Sequence, residues 1–266
     1  MSDSDLLEQV LAEVSDGVGT LTLHRPERRN AMTDQMLEEL ASHLVALVQD
    51  DRVGAIVLTG SGRAFCAGGD VQDFDDMGGE GGGADAVDQA LLEWQRDIQR
   101  RTVGALFRSP KPVVAALPGA AAGAGLGLAF AADLRVGCAR TVMKTAFAGV
   151  GLSGDFGVAW LLGRLVGPAK ARELMFLDER LDAGTCLRLG LVNLLVDEAQ
   201  LGAHVHGLAA SLAAGPREAF ASMKANLLEA PHLTLEASMD AEVSRHKATG
   251  LTAYHRAAVR AFVSSR

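Results

Sequence analysis

Apolar and polar residues alternate along the start of the chain and then change period. In LAEVSDGVGTLTLHRP (11–26) the alternation predicts two short strands joined at Ser15, Asp16 and Gly17, with Pro26 ending the second. From Thr33 the spacing turns helical. Met36, Leu37, Leu40, Leu44, Leu47 and Val48 form one stripe, and Thr33 is the expected N-cap. The apolar run AIVLTG (55–60) predicts a buried strand, and the glycine-rich SGRAFCAGGD (61–70) follows it as a loop. MGGEGGGAD (77–85) is low in complexity, and its glycines make it flexible by composition. Helical spacing resumes from about Ala86 to Phe107, with Leu91, Trp94 and Ile98 on one face.

PKPVVAALP (110–118) is a strand bounded by prolines, and GAAAGAGLGLAFAAD (119–133) passes from glycines into a helix of small residues. LRVGCA (134–139) is a further strand. Strand, glycine turn and helix thus recur twice, the pattern of a layered α/β domain with crossover connections. Beyond Gly157 the chain is mostly helical, over 158–166, 169–177 and 183–189, with Trp160 expected in the core. A strand LVNLLV (191–196) follows, then three helices beginning near Pro216, Thr234 and Thr252. The division this implies is an α/β core over 1–200 and a helical region over 201–266.

Composition narrows the function. The chain has 266 residues, 48% of them apolar and 22% charged, with core material for a large domain. A formal charge of −8 argues against a nucleic-acid partner, which would require a basic stripe. The apolar segments fall short of the roughly 20 residues that span a bilayer, so no membrane partner is expected. No basic run followed by an apolar run opens the sequence, and Cys66, Cys138 and Cys186 are odd in number and far apart. Reduced thiols in the cytoplasm are the expectation. Cys66 reads as a small buried residue rather than a nucleophile. His204 and His206 would not share a helix face, so no metal site is expected.

Two features carry chemistry. VGLSGDFGVAW (150–160) holds a single ionisable side chain, Asp155, among glycines and apolar residues. A carboxylate in such a wall costs several kcal/mol unless it is neutralised, bonded or used. The alternative is that it caps a helix starting near Phe156. The second feature is a pair of loops, AFCAGGD (64–70) and GAAAGAG (119–125), each after a strand and before a helix. A dinucleotide fingerprint is disfavoured, because GAGLG (123–127) has the wrong spacing and the next strand ends without an acid. Close helix packing remains open beside a third reading. In that reading one backbone N–H from each loop converges on an oxyanion.

Five segments in order resemble the crotonase, or enoyl-CoA hydratase/isomerase, superfamily. They are LHRPERRNAM (23–32), SGRAFCAGGDVQDF (61–74), KPVVAALPGAAAGAGLGLAFAADLRV (111–136), GLSGDFGVAWLLGRLVGPAKARELMFL (151–177) and LDAGTCLRLGLVNLLV (181–196). The resemblance implies a spiral core of repeated ββα units with a C-terminal helical trimerisation region. It places the oxyanion amides at Gly69 and Ala124, with Asp70 closing the first loop. Ala64, Ala67 and Gly68 match the backbone that holds coenzyme A. Arg29 matches a basic position that meets its phosphates, with a solvated surface arginine as the alternative. Phe74, Met77 and Phe147 fall on the acyl pocket.

Family members that hydrate 2-enoyl thioesters use two glutamates, and the matching positions here are Gly127 and Phe147. Neither can move a proton. Asp155 matches an acid/base or nucleophile of several other branches. Dehalogenation is disfavoured, since no histidine lies near the first loop. The resemblance therefore implies an enoyl-CoA isomerase acting through Asp155, with a hydratase or other CoA-thioester lyase and a silent acyl-CoA binder as alternatives. A homotrimer or dimer of trimers is implied. No resident cofactor is expected, coenzyme A being part of the substrate.

Overall fold

The computed structural model describes residues 8–70 and 88–265. The first half runs β1 (Val10–Ser15), β2 (Val18–Leu23), α1 (Asp34–Gln49), β3 (Ala55–Gly60) and β4 (Ala64–Cys66). Next come α2 (Gln89–Arg101), α3 (Val103–Arg108), β5 (Val113–Leu117), β6 (Ala120–Ala122), α4 (Ala124–Ala131), β7 (Leu134–Gly137) and β8 (Val142–Lys144). The remainder is α5 (Val158–Leu177), β9 (Leu181–Asp182), α6 (Ala183–Arg188) and β10 (Leu194–Leu195), then α7 (Leu201–Ala213), α8 (Arg217–Glu229), α9 (Leu235–Thr249) and α10 (Ala253–Ser264).

The strands form two sheets. One holds six strands in the order β1-β2-β3-β5-β7-β10, all parallel except the β1–β2 hairpin. Its turn takes Asp16 at φ +52° and Gly17 at φ +76°, the left-handed pair that a tight hairpin needs. The other sheet has four short strands, β4-β6-β8-β9.

Alternation along the large sheet sorts its side chains. Leu21, Leu23, Ile56, Leu58, Val113, Ala115 and Leu117 point into the main core, together with the stripe of α1 that Thr33 caps through Met36 N at 3.1 Å. Val18, Ala55, Val57, Val114, Ala116 and Val136 point the other way and meet Leu201, Val205, Ala209 and Ala213 of α7.

Several expectations are corrected. The helix over 86–107 is two helices, because Thr102 leaves helical geometry at φ −105°, ψ −89° and turns its hydroxyl onto Ile98 O. The segments 61–70 and 119–125, read as loops, each contain a three-residue strand of the small sheet. Helix α7, at the start of the helical region, was not individually anticipated, and it packs on the large sheet. Trp160 is not in the core: it is 43% exposed, with the Arg164 guanidinium 3.3 Å from its ring centroid and Phe107 edge-on at 5.2 Å. Helices α8, α9 and α10 bury no residue within this chain.

Candidate active site

The first loop leaves β4 at Cys66 and is held from outside by the segment before α1. Asn30 is fully buried at φ +55°. Its amide nitrogen donates to the carbonyls of Ser61, Ala64 and Phe65 at 3.0, 2.9 and 3.3 Å, and its oxygen accepts from Arg25 N at 2.9 Å. Arg29 O accepts from Ala67 N at 3.1 Å. Gly69 forms a parallel bridge with Met32, in which Met32 N donates to Gly68 O and Asp70 N donates to Met32 O. Those flanking groups make the bridge, so the N–H of Gly69 itself is turned to the opposite side. Asp70 closes the loop with a carboxylate 3.0 Å from Arg25 Nη1 and 3.2 Å from Arg28 Nη2.

The second loop leaves β6 and enters α4 through Gly123, at φ +51° and ψ −133°, a conformation open to glycine. Ala124 is then the first helical residue, whose N–H has no acceptor within the helix and lies at the positive end of its dipole. The loops touch. A methyl carbon on Gly68 would lie 3.0 Å from Ala122 O and 3.5 Å from Ala124 N, and one on Gly125 would lie 2.6 Å from Cys66 O. Glycines are therefore required at 68 and 125 for the approach itself. Cys66 and Ala121 are paired across the small sheet, and Gly69 and Ala124 each lie three residues beyond them. Burial pushes the Cys66 thiol up to about 12, which leaves it inert and agrees with its reading as a packing residue.

Asp155 stands on a strained turn. Gly154, Phe156 and Gly157 have φ of +106°, +47° and +70°, and a left-handed Phe costs about 1–3 kcal/mol. The carboxylate does not cap α5: that position is Gly157, without a side-chain bond. Oδ2 accepts from Gln95 Nε2 at 3.3 Å, while Oδ1 is buried with no partner among the described residues. Desolvation raises the Asp155 pKa to about 6. Gln99, one turn after Gln95 on α2, accepts from Phe156 N at 2.8 Å and fixes the turn.

Phe147 joins the two halves. Its ring is buried, with Cε1 4.0 Å from a methyl placed on Gly123 and Cδ2 3.7 Å from one placed on Gly154. The Gly123 loop and the Asp155 turn therefore face each other across one aromatic side chain. Gly127, a turn into α4, packs on the Asp155 turn from below, since a methyl there would come 2.3 Å from Phe156 O. Behind Phe147, Asp178 bonds Thr145 Oγ1 at 3.0 Å and the backbone N–H of Ala146, itself at φ +58°.

The structure thus brings together Gly68, Gly69, Asp70, Ala124, Phe147 and Asp155. Ala64 borders them with its carbonyl taken by Asn30, and Ala67 with its N–H taken by Arg29. Arg29 is exposed. Phe74, Met77 and the glycine-rich 77–85 lie outside the described residues. His206 Nε2 is 3.0 Å from Asp16, and no cluster of three metal-binding side chains occurs among the described residues. No helix described is long and apolar enough to cross a membrane. Asn30, Gln95 and Gln99 were not anticipated. The spacing of Gln95 and Gln99, four apart and so on one face of an amphipathic helix, was the available signal.

Residues 13–266 match the family model described as enoyl-CoA hydratase/isomerase. A 1,2-epoxyphenylacetyl-CoA isomerase from Escherichia coli K12 is 35% identical over 98% of this chain and 97% of its own. A 4-chlorobenzoyl coenzyme A dehalogenase from an Arthrobacter species is 34% identical over 91% of this chain and 85% of its own. The crystal structure of an enoyl-CoA hydratase, described as putative, from Streptomyces coelicolor A3(2) superposes with a TM-score of 0.88 at 36% identity, covering 97% of this chain and 92% of that one.

Proposed function

The chain belongs to the enoyl-CoA hydratase/isomerase family, and on that premise we propose that it shifts a double bond within an enoyl-CoA, with Asp155 as the single acid and base. The observation that carries this reading is the buried Oδ1 of Asp155, without a partner among the described residues, on a strained turn across Phe147 from the two amides. A carboxyl with a pKa near 6 holds and releases a proton at neutral pH.

The carboxylate takes the proton from the carbon beside the thioester carbonyl. The electron pair of that C–H bond moves into a conjugated enolate, whose oxygen accepts from the N–H groups of Gly69 and Ala124. Asp155 then returns the proton to the far end of the enolate, and the double bond has moved at unchanged mass. Charge develops where two preorganised donors wait. Gly127 and Phe147 supply no group to orient or deprotonate water, which weighs against hydration. No resident cofactor is needed, because coenzyme A arrives with the acyl group. Its backbone contacts fall to Ala64, Ala67 and Gly68, and its phosphates to Arg29.

A homotrimer or dimer of trimers fits the C-terminal region, whose last three helices have no fully buried residue and which leaves Leu235 at 71% and Leu251 at 76% exposure.

Incubation with a 3-enoyl-CoA and a 2-enoyl-CoA tests the reaction, read by product mass and conjugated-thioester absorbance. A change in conjugation at constant mass, abolished in Asp155→Asn, is the expected result. A product heavier by one water would replace this reading with a hydratase, and tight binding without turnover would replace it with a silent binder.

A further inference from the structure

We infer that Gln95 is a positioning residue for the acid: it holds Asp155 through Oδ2 and so assigns Oδ1 as the oxygen that exchanges the proton with substrate. This rests on the reading of Asp155 given above. The roles of the two amides on α2 follow from their partners. An ionised carboxylate can only accept, so Gln95 presents its NH2 group, and a backbone N–H can only donate, so Gln99 presents its oxygen. Both side chains are half-buried, four residues apart on one face of α2, and meet adjacent residues of the same turn. One helix thereby grips Asp155 by its carboxylate and Phe156 by its backbone.

The two carboxylate oxygens are thus chemically different. Oδ2 is solvated by an amide, and a proton placed there would confront the NH2 group. Oδ1 meets no donor among the described residues and is the atom on which a proton is least opposed. The charged groups on the packed elements do not alter this assignment. Arg96 and Arg100 line a cleft of about 320 Å³ beside Phe156 and Gly157, and Arg164 lies over Trp160 on α5. Arg101 and Asp97 pair with each other on α2, and α4 carries no charge. Burial alone accounts for the raised pKa of Asp155.

The experiment follows the Asp155 carboxyl directly, by carbon NMR of protein labelled at the aspartate carboxyl carbon. Asp155→Asn identifies its resonance. A donor to a carboxylate favours the charged form, so removing it in Gln95→Leu is expected to raise the Asp155 titration by roughly one pH unit. Gln95→Glu, which keeps the shape and replaces the donor with a like charge, is expected to raise it further. In Gln95→Leu, kcat for enoyl isomerisation is expected to fall about tenfold with KM unchanged, and the acid limb of kcat/KM should follow the NMR titration. A packing role alone would lower the melting temperature and leave the titration in place. An Asp155 titration that is the same in wild type and both variants overturns the inference. If Asp155 responds to Gln95 but the wild type isomerises no enoyl-CoA, the contact stands and the isomerase reading falls.

Discussion

Gly127 lies against the backbone of Phe156 so closely that a methyl carbon at 127 would come 2.3 Å from the Phe156 carbonyl oxygen. No side chain fits there while the Asp155 turn keeps its shape. A glutamate at 127, which the family resemblance associates with hydration, and the turn that carries Asp155 would therefore exclude each other sterically.

The double substitution Gly127→Glu with Phe147→Glu is therefore not expected to create a hydratase. Displacing the turn should destabilise the protein by about 2 kcal/mol or more, since overpacking and buried charge both oppose folding. Denaturant titration reads the loss, and product mass reads the absence of water addition.

Asp155→Asn separates the chemistry from the fold. Isomerisation is expected to fall by about 10²–10⁴, the usual worth of a positioned acid/base, with acyl-CoA affinity retained. Stability should move the opposite way. The folded pKa, about 6, is raised above the unfolded value, so the ionised carboxylate opposes folding once the pH passes through 3.8 toward 6. Below that window the contribution vanishes. At pH 7.5 the variant should be more stable by about 1–2 kcal/mol, the full shift being discounted for partial solvation. Thermal melts at pH 3.5 and 7.5 compare the two proteins, and an equal difference at both would refute the account.

The pH profile follows from the same group. As a base, Asp155 must start ionised, so kcat/KM should rise with pH through about 6 and then level. A profile flat between pH 5 and 7 would remove Asp155 from the rate-determining proton transfer.

Asn30 supports the first loop rather than the chemistry. Asn30→Ala would leave the carbonyls of Ser61, Ala64 and Phe65 without their donor and place alanine at φ +55°. A loss of about 2–4 kcal/mol is expected. Asn30→Gly relieves the backbone strain but not the missing bonds, so it should recover only part of that loss.

The C-terminal helices predict association. Leu235→Asp with Leu251→Asp, at positions 71% and 76% exposed, should lower the assembled mass in sedimentation while leaving the chain folded. Unchanged mass would place the contact elsewhere.

The large sheet was legible where its strands run five or six residues with clear alternation or unbroken apolar character, as in Ala55–Gly60 and Val113–Leu117. The small sheet was not. Ala120–Ala122 and Ala64–Cys66 are too short to show a period, and alanine carries no strand preference. The glycines that mark the two loops showed where backbone comes close, and the resemblance assigned their amides. Asp155 stood out as a lone charge among apolar neighbours, yet its capping alternative could be set aside only by the backbone of Gly157. Asn30 and Gln95 act on backbone and carboxylate partners 31 to 60 residues away, a distance no local pattern reports. Trp160 was misplaced because an indole was assumed to need burial, whereas an arginine covers its face.

Gly69 and Ala124, proposed above as the oxyanion donors, stand at matching steps past a hydrogen-bonded strand pair, whereas Asp155 belongs to a turn gripped by a helix of a different layer. The approach of the two loops is set by backbone contacts at Gly68 and Gly125, which changes around Asp155 do not alter. The residue at 155 can change, because only the turn and its helix need to accommodate the change. A fold divided in this way can keep one grip on a thioester while exchanging what is done to the acyl group. Relatives bearing the names isomerase, hydratase and dehalogenase are what such a division would be expected to leave behind.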